Sequence, residues 1–459
     1  MAMTFETHTI YQIPEDQRYG RVSDLFTVWF STNMTLLTVV TGALGPTVFG
    51  LSFGWSMLAA VAGNMAGAVF MALHAAQGPM LGVPQMVQSR GQFGSYGAVP
   101  IVLLVIVMYV GFAASNYVVG GQALVQALPG LNGTVSVLTI AIVSLVPCCM
   151  GYKAIHVISK IVSWLAGAVV LGCIGLGLWR FSGATLMDTH GSVAGIMSAF
   201  SVSALWQVAY APYVSDSSRY LPNSAVSVRN TFIATYTGTV LGTILPMMLG
   251  IVLACQWANL TTVEALAQLC GGAAPFVLVV LSLAITLGNA MGVYCGALST
   301  ITVVQTFLPD WRPEMMSRVV VTLCLVALAL TMAFGMSSDF MKSYAAFLDI
   351  LMAVIVPWTA INLTDYYLLR HGDYDVASFF RADGGRYGYF NVAAVLSYLV
   401  GVVVELPFLR NDLYTGFLVP ALHGVDISWL VSLVVTTVLY VVLSRGDRAR
   451  TAKEEEQAA

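Results

Sequence analysis

The segment SVAGIMSAFSVSALWQVAYAPYVSDSSRYLP, residues 192–222, decides the fold because it begins as an apolar helix and ends in a polar, aromatic turn. Two prolines, Pro212 and Pro222, lie in its second half, and a proline inside a helix removes a backbone hydrogen bond. In lipid, interrupted backbone is tolerated only where it lines a cavity. The segment therefore predicts a membrane span whose broken part belongs to a binding site. The alternative is that the two prolines simply end a helix.

The composition of the whole chain supports a membrane location. The 459 residues are 58% hydrophobic and only 9% charged, with a mean hydropathy of +0.82. Soluble domains carry about 25% charged residues, so this composition excludes an ordinary soluble globule. The alternating ten-residue pattern of a membrane β-barrel is absent. We therefore expect an all-α integral membrane protein.

Apolar segments long enough to cross the ~30 Å hydrocarbon layer as helices recur along the chain. We count twelve of them, at residues 25–48, 53–77, 99–128, 134–151, 155–179, 192–213, 229–255, 273–305, 317–336, 343–369, 389–408 and 427–444.

The positive charges test this count. With twelve spans and a cytoplasmic amino terminus, 16 of the 19 lysines and arginines face the cytoplasm, and only Arg180, Lys342 and Arg410 lie outside. This asymmetry follows the positive-inside rule. The sequence thus predicts a multi-pass protein of the plasma membrane, a bacterial inner membrane, with both termini cytoplasmic. The net charge of −3 gives no indication of nucleic-acid binding.

The first span has the same character as the sixth. It contains Asn33 and Thr38, followed by Gly42, Gly45 and Pro46, which we expect to shape a break in the helix. Two interrupted helices that lie five spans apart are typical of inverted repeats. The predicted organisation is, in order, a cytoplasmic segment 1–24, a first five-helix repeat 25–179, a second repeat 192–369, two further helices in 389–444 and a cytoplasmic tail 445–459.

Three separated stretches resemble one known family. They are GVPQMVQSRGQFGSYG (82–97), YAPYVSDSSRYLP (210–222) and VPWTAINLTDYYLLRHGDYD (356–375), and they are similar to the nucleobase:cation symporter-1 family of purine and cytosine permeases. The resemblance implies a leucine-transporter-like fold of two inverted five-helix repeats plus two helices, alternating access, and coupling to sodium or protons. On its own residues, the first stretch predicts a short helix at the cytoplasmic interface, where Arg90 would reach headgroups or tether the loop to an inner gate.

A flat base needs an aromatic face for stacking and amides that both donate and accept hydrogen bonds. In span three, Phe112 and Asn116 are i,i+4 neighbours on one helix face. Fungal-type permeases of the family have a Trp and then an Asn at this spacing, so Asn116 matches while Phe112 keeps the stacking face without the indole donor. The alternative for Asn116 is a hydrogen bond between helices.

The resemblance places further site residues on spans six, eight and one. Tyr210 falls at a stacking position, and Trp206 lies one turn earlier. Asn289 matches an asparagine that lines the family's site, with a packing role as its alternative. Asn33 and Thr38 are additional candidates for substrate binding, although Asn33 could instead cap broken backbone.

The expected coupling ion is a proton rather than sodium. A sodium site in this fold uses adjacent hydroxyls on span eight, where this chain has Leu283 and Ala284 flanked by Ser282 and Thr286. Proton coupling needs a titratable group, and the spans contain Asp349 and Glu405. We expect no other cofactor and no metal site.

The sequence thus predicts a symporter that imports a nucleobase, cytosine or a purine, through the lipid bilayer. Other flat heterocycles remain open as substrates: allantoin, hydantoin, a nucleoside or a vitamin-type pyrimidine, with sodium as the coupling ion in that case. An enzyme is not expected, because no cluster of Asp, Glu and His lies near either interface. A channel would not need two broken helices at repeat-related positions.

Overall fold

The computed structural model describes residues 9–18, 20–150, 152–181, 183–336, 340–411 and 414–458, without the side chains of 149, 150, 152–161, 163, 184 and 446–458. The predicted terminal segments 1–24 and 445–459 therefore lie partly outside the described residues. Within those ranges the chain forms α-helices and no strand. The helices of the first half are α1 Val22–Asn33, α2 Leu36–Thr47, α3 Phe53–Ala75, α4 Gly78–Leu81, α5 Gln85–Phe93, α6 Ala98–Ala127, α7 Gly133–Met150, α8 Tyr152–Trp179 and α9 Gly183–Met187.

The second half repeats the alternation of long and short helices. It comprises α10 Val193–Val208, α11 Val214–Ser218, α12 Ala225–Gln256, α13 Thr262–Cys270, α14 Ala274–Phe307, α15 Met315–Met336, α16 Phe340–Leu363, α17 Val392–Glu405 and α18 Ser428–Ala458. A 3₁₀ turn, Ala211–Tyr213, joins α10 to α11, and a π-helical turn, Thr364–Leu369, extends α16.

Length and apolar composition confirm a multi-pass helical membrane protein. Eight segments of the described chain are long and apolar enough to cross a membrane, and the bent pair α1 and α2 makes a ninth. Three shorter apolar helices, Gly133–Cys148, Trp164–Trp179 and Val392–Glu405, coincide with the remaining predicted spans. The all-helical membrane fold is confirmed, and the count of twelve crossings stays a prediction.

The first span is broken, but not where the glycines predicted. Helices α1 and α2 meet at 58°, and the break is at Met34 and Thr35, where Thr35 adopts an extended conformation. Gly42, Gly45 and Pro46 lie inside α2 instead. A Cβ on Gly42 would lie 2.1 Å from the Met247 carbonyl oxygen, so this glycine allows α2 to approach α12. The expectation that these three residues shape the break was wrong.

The second interruption lies at the predicted place. Helix α10 ends at Val208, and Pro212 occupies the 3₁₀ turn, where its missing N–H breaks no regular helix. The run Val193–Ser218 nevertheless remains one apolar segment of 26 residues, whereas the first span bends sharply at its break. The two interruptions therefore differ: the first redirects the chain, and the second locally unwinds it.

Close contacts between helices position the two breaks beside each other. Helix α3 packs against α10, α12 packs against α1 and α2, and α6 packs against α14. A Cβ on Gly67 of α3 would lie 2.2 Å from the Ala204 carbonyl oxygen, so only glycine permits this approach to α10. The breaks and the middle of α6 and α14 converge on one interior region.

The loop after α3 corrects another expectation. All nine residues of α5 are buried against the rest of the protein, so no face of this helix is free to contact lipid headgroups. Arg90 is 3% exposed and donates hydrogen bonds to the Thr302 carbonyl oxygen (2.6 Å) and the Phe379 carbonyl oxygen (2.8 Å). It therefore ties the loop to α14 and to the segment before α17, which agrees with a tether and not with a headgroup contact.

Candidate functional site

An interior cavity lies where the break of the first span meets α6, α10 and α14. Its wall comes from Thr32 and Thr35 at the first break, Tyr109, Phe112 and Asn116 on α6, Trp206, Tyr210 and Tyr213 at the end of α10, and Asn289 on α14. Gly288 and Gly292 flank the asparagine, and a Cβ on Gly292 would meet no atom within 4 Å. The glycines leave room beside the Asn289 amide.

The aromatic part of the wall is a continuous chain of rings. The ring centroid of Trp206 lies 6.0 Å from that of Phe112 and 6.2 Å from that of Tyr210, with interplanar angles of 83° and 81°. These edge-to-face contacts hold neighbouring rings in fixed orientations. Tyr213 continues the chain, with its centroid 5.6 Å from Tyr210 and 5.3 Å from Tyr109. The cavity thus offers several flat apolar surfaces that are steeply inclined to one another.

The polar part of the wall is an asparagine pair. Asn116 Nδ2 donates to Asn289 Oδ1 at 3.3 Å, although the two residues are 173 positions apart. Asn289 is 2% exposed, and its own Nδ2 makes no hydrogen bond of normal geometry among the described residues, although it lies near the Tyr117 hydroxyl. A buried amide donor without a partner costs about 1–3 kcal/mol, so most such donors are paired. This pair therefore places at the cavity wall a donor that has no well-formed hydrogen bond.

A second set of amides lies behind the rings. Trp206 Nε1 donates to Asn33 Oδ1 at 2.8 Å, and Asn33 Nδ2 donates to the Trp29 carbonyl oxygen at 2.7 Å. The next residue, Gln207, donates to Asn64 Oδ1 at 2.8 Å and accepts from Thr239 Oγ1 at 2.6 Å. Because the indole N–H is already used, Trp206 presents its ring to the cavity and not its donor.

The structure brings together most of the residues predicted for the site. Phe112, Asn116, Trp206, Tyr210 and Asn289 all line the cavity. The other two predicted residues lie outside the lining. Asn33 contacts the cavity only through Trp206, and Thr38 is fully buried with its hydroxyl 3.1 Å from that of Thr35. Their effect on a ligand would be indirect, and substrate contact by any of the seven stays a prediction.

Two further lining residues, Tyr109 and Tyr213, were not among the predicted site residues. A helical pattern in the sequence indicates Tyr109 but not Tyr213. Tyr109, Phe112 and Asn116 follow the i, i+3, i+7 spacing of one helix face. Tyr213 lies three residues after Tyr210 within the quoted turn, where a regular-helix pattern no longer predicts which side chains share a face.

Asp349 and Glu405, the carboxyl groups expected to exchange protons, do not line this cavity. Asp349 lines a different cavity together with Arg410 and Asp426. Glu405 is 1% exposed on α17, and its carboxyl group lies near the Ser432 hydroxyl. In the part of the chain that the structure describes, no three His, Cys, Asp or Glu side chains are grouped so as to hold a metal ion.

Comparisons with known proteins find relatives among membrane permeases. A family model described as "Permease for cytosine/purines, uracil, thiamine, allantoin" matches residues 12–432. The chain is 34% identical over 466 aligned positions to a protein named as a purine-cytosine permease, YxlA of Bacillus subtilis (strain 168), covering 99% of each. It is 25% identical to the purine-cytosine permease fcyB of Emericella nidulans, covering 93% of this chain and 86% of that one.

Two solved structures share the fold. Mhp1, a nucleobase-cation-symport-1 family transporter in a closed conformation with bromovinylhydantoin bound, superimposes with a TM-score of 0.78 at 17% identity, covering 97% of this chain and 96% of that one. A Na⁺-coupled sialic acid symporter gives a TM-score of 0.55 at 12% identity, with 92% and 97% covered. The match of the family model over most of the length, together with the relative that is 34% identical, shows that this chain belongs to the family of permeases for cytosine, purines, uracil, thiamine and allantoin.

Proposed function

We propose that the chain is a secondary active transporter that imports a nucleobase, cytosine or a purine, in symport with a cation. The observation that carries this proposal is the asparagine pair in a ring-walled cavity. The Asn289 Nδ2 donor is buried without a well-formed hydrogen bond, and the Asn116 carbonyl oxygen accepts no hydrogen bond from the described residues. The pair therefore offers one donor and one acceptor side by side.

Nucleobases present the complementary pattern. Cytosine and the purines carry ring nitrogens or carbonyl oxygens next to N–H groups on one edge, and both of their faces are flat π-systems. The Phe112 and Tyr210 rings suit the faces, and the Asn116 and Asn289 amides suit the edge. A charged substrate would require a compensating charge, and neither the rings nor the amides provide one.

Transport follows from alternating exposure of this cavity. The base and the cation enter from outside, the base stacks on Phe112 and Tyr210, and its edge bonds to Asn116 and Asn289. The two repeats then rock, and the inner side opens. Substrate drives this change only through a difference in affinity between the two states. The weakly bonded donor of Asn289 is one place where such a difference can arise.

We propose protons as the coupling cation. Leu283 and Ala284 carry no side-chain oxygen, so α14 lacks the adjacent pair of hydroxyls that a sodium site in this fold uses. Hard Na⁺ needs oxygen ligands, so this segment is a poor sodium site. Glu405 and Asp349 remain as groups that can exchange a proton within the predicted spans. As to location, we propose that both termini lie in the cytoplasm and that the membrane is the plasma membrane, a bacterial inner membrane.

A second candidate substrate is another flat heterocycle. A vitamin B6 transporter of Saccharomyces cerevisiae is 33% identical over 97 residues, and the structural relative Mhp1 has a hydantoin bound. The substitution of Phe112 for the tryptophan of fungal-type permeases also favours a shift in preference. Allantoin, a hydantoin, a nucleoside or a vitamin-type pyrimidine would use the same rings and amides, with sodium coupling in that case.

A competition assay separates these candidates. Cells that express the protein take up labelled cytosine or labelled adenine in the presence of unlabelled cytosine, uracil, adenine, guanine, hypoxanthine or allantoin. Nucleobase transport predicts competition by cytosine or a purine, and competition by allantoin alone would support the second candidate. Uptake that survives replacement of sodium by choline but is lost with a protonophore supports proton coupling. Uptake that requires sodium would contradict it.

A further inference from the structure

Two cysteines that play no part in the cavity lie in contact with each other. Cys173 is on α8 and Cys270 ends α13, and their sulfur atoms are 3.6 Å apart. The described cysteine side chains form no disulfide, so both are free thiols. A separation of 97 positions along the chain makes this contact a product of the fold and not of local geometry.

Hydrogen bonds on both sides hold this contact in place. Arg180, just after α8, donates from Nη1 to the Leu269 carbonyl oxygen at 3.0 Å. Gln256, at the end of α12, donates from Nε2 to the Gly177 carbonyl oxygen at 2.7 Å. The end of α8 is therefore hydrogen-bonded to both α12 and α13. These bonds between helices hold the two thiols in contact.

The two thiols differ in exposure. Cys173 is 5% exposed, whereas Cys270 is partly exposed and is followed by the exposed turn Gly271–Ala273. An oxidant in solution can therefore reach Cys270 first, and Cys173 is positioned to react second.

The predicted topology places this contact outside the cytoplasm. Arg180 is one of three basic residues assigned to the outer side by the positive-inside count, and it bonds directly to the residue before Cys270. Thiols that meet outside the cytoplasm are in an environment in which disulfides form and persist.

We propose that Cys173 and Cys270 are a disulfide-forming site on the outer face that fastens α13 to α8. Cys173 belongs to the predicted first repeat and Cys270 to the second, so the bond joins the two repeats. It forms by thiol–disulfide exchange with a disulfide-bearing oxidant. The Cys270 thiolate attacks one oxidant sulfur and releases the other as a thiolate. The Cys173 thiolate then attacks Cys270 Sγ and releases the second. The two protons of the cysteines end on the oxidant, which is reduced to two thiols.

Counting thiols tests the site. Cells expressing the full chain are treated with oxidised glutathione, which does not cross the membrane. The protein is then denatured, and its free thiols are labelled with a mass-tagging maleimide, in one sample without reduction and in a second sample after reduction. Wild type should gain two tags on reduction. Cys173→Ser should gain at most one tag, because its Cys270 can stop at a mixed disulfide with glutathione, and Cys270→Ser should gain none, because the buried Cys173 remains a free thiol that is already tagged. Cys255→Ser, at the same end of the molecule, is the matched control and should still gain two.

Proteolysis without reduction gives an independent measurement. A peptide containing residue 173 linked to one containing residue 270 is expected by mass spectrometry in wild type and in Cys255→Ser. Equal tag numbers before and after reduction in wild type would overturn the proposal, as would two gained tags in either single variant. Formation of the bond only with an oxidant that enters the cytoplasm would also overturn it, because the site would then lie on the inner side. None of these outcomes depends on which substrate is carried.

Discussion

Two groups of amides, one bonded to Trp206 and its neighbour Gln207 and one at the cavity wall, differ in how fully they are hydrogen-bonded. In the first group, Asn33, Asn64 and Gln207 use their oxygens and nitrogens in hydrogen bonds to α1, α3 and α12. In the second, Asn116 and Asn289 share one bond of 3.3 Å and leave the Asn289 donor without a well-formed hydrogen bond.

This difference distinguishes structural amides from binding amides more clearly than residue type does. A saturated network has nothing left to offer a ligand, and its loss is felt as lost stability. An unsaturated pair costs free energy in the empty protein, and a ligand that completes its bonds recovers that cost. Variants of the two groups should therefore fail in different ways: one in binding, the other in folding.

The largest effect is expected from Asn116→Ala. It removes an acceptor for the base and the partner of Asn289, so uptake of the labelled base should fall to background while the amount at the cell surface is unchanged. Asn64→Ala is the matched control, because it removes an asparagine from the other group and should leave KM near wild type. Undiminished uptake by Asn116→Ala would remove this residue from the site.

Gln207→Leu should mainly destabilise the protein. It removes one hydrogen bond from each of Asn64, Thr239 and Thr243, and hydrogen bonds of this kind between membrane helices contribute about 0.6–2 kcal/mol each. We expect a lower thermal midpoint in detergent and less protein at the surface, with KM of the folded fraction changed less than the midpoint. Gln122→Leu, at an exposed position on α6, should change neither. A large rise in KM without loss of stability would move Gln207 into the binding group.

Asn33→Leu should have an intermediate effect, transmitted through Trp206. Losing the bond to Trp206 Nε1 costs about 1 kcal/mol, which corresponds to roughly fivefold in KM. In a Trp206→Phe background, where that donor is absent, the same change should have little effect. Additive effects of the two substitutions would show that Asn33 acts independently of the ring.

The smallest effect is expected from Phe112→Trp. The larger ring keeps the stacking face, so KM for the preferred base should change by less than about threefold, whereas Phe112→Leu should raise it by about 2–10-fold through loss of ring contact. The comparison is made by uptake kinetics. Equal kinetics for the two variants would mean that the substrate does not stack on this residue.

Much of the fold follows from local features of the sequence. Apolar length predicts the helices, and the prolines and tyrosines of residues 210–222 predict the second interruption. The i,i+4 spacing of Phe112 and Asn116 correctly predicts that they share one helix face, because both lie within one regular helix, α6.

Other features depend on contacts between distant segments and are therefore hidden in the sequence. A Cβ added at Gly42 would lie 2.1 Å from the Met247 backbone, so close helix packing requires a glycine there. This glycine therefore does not mark a break in the helix. Asn33 and Asn289 are both asparagines in apolar spans. Only their hydrogen-bond partners on other helices distinguish a structural asparagine from a candidate substrate-binding residue. The true break, at Met34 and Thr35, contains neither glycine nor proline.

Equilibrium binding to purified protein tests most directly whether the weakly bonded Asn289 donor is reserved for the substrate. Labelled cytosine and adenine are titrated against wild type and Asn289→Ala, with the thermal midpoint of each protein measured in parallel. The account predicts a Kd for the preferred base that rises about 10–100-fold, the worth of one buried hydrogen bond of about 1–3 kcal/mol, with a midpoint that is unchanged or higher. An unchanged Kd together with a lower midpoint would contradict it and assign Asn289 to the structural amides.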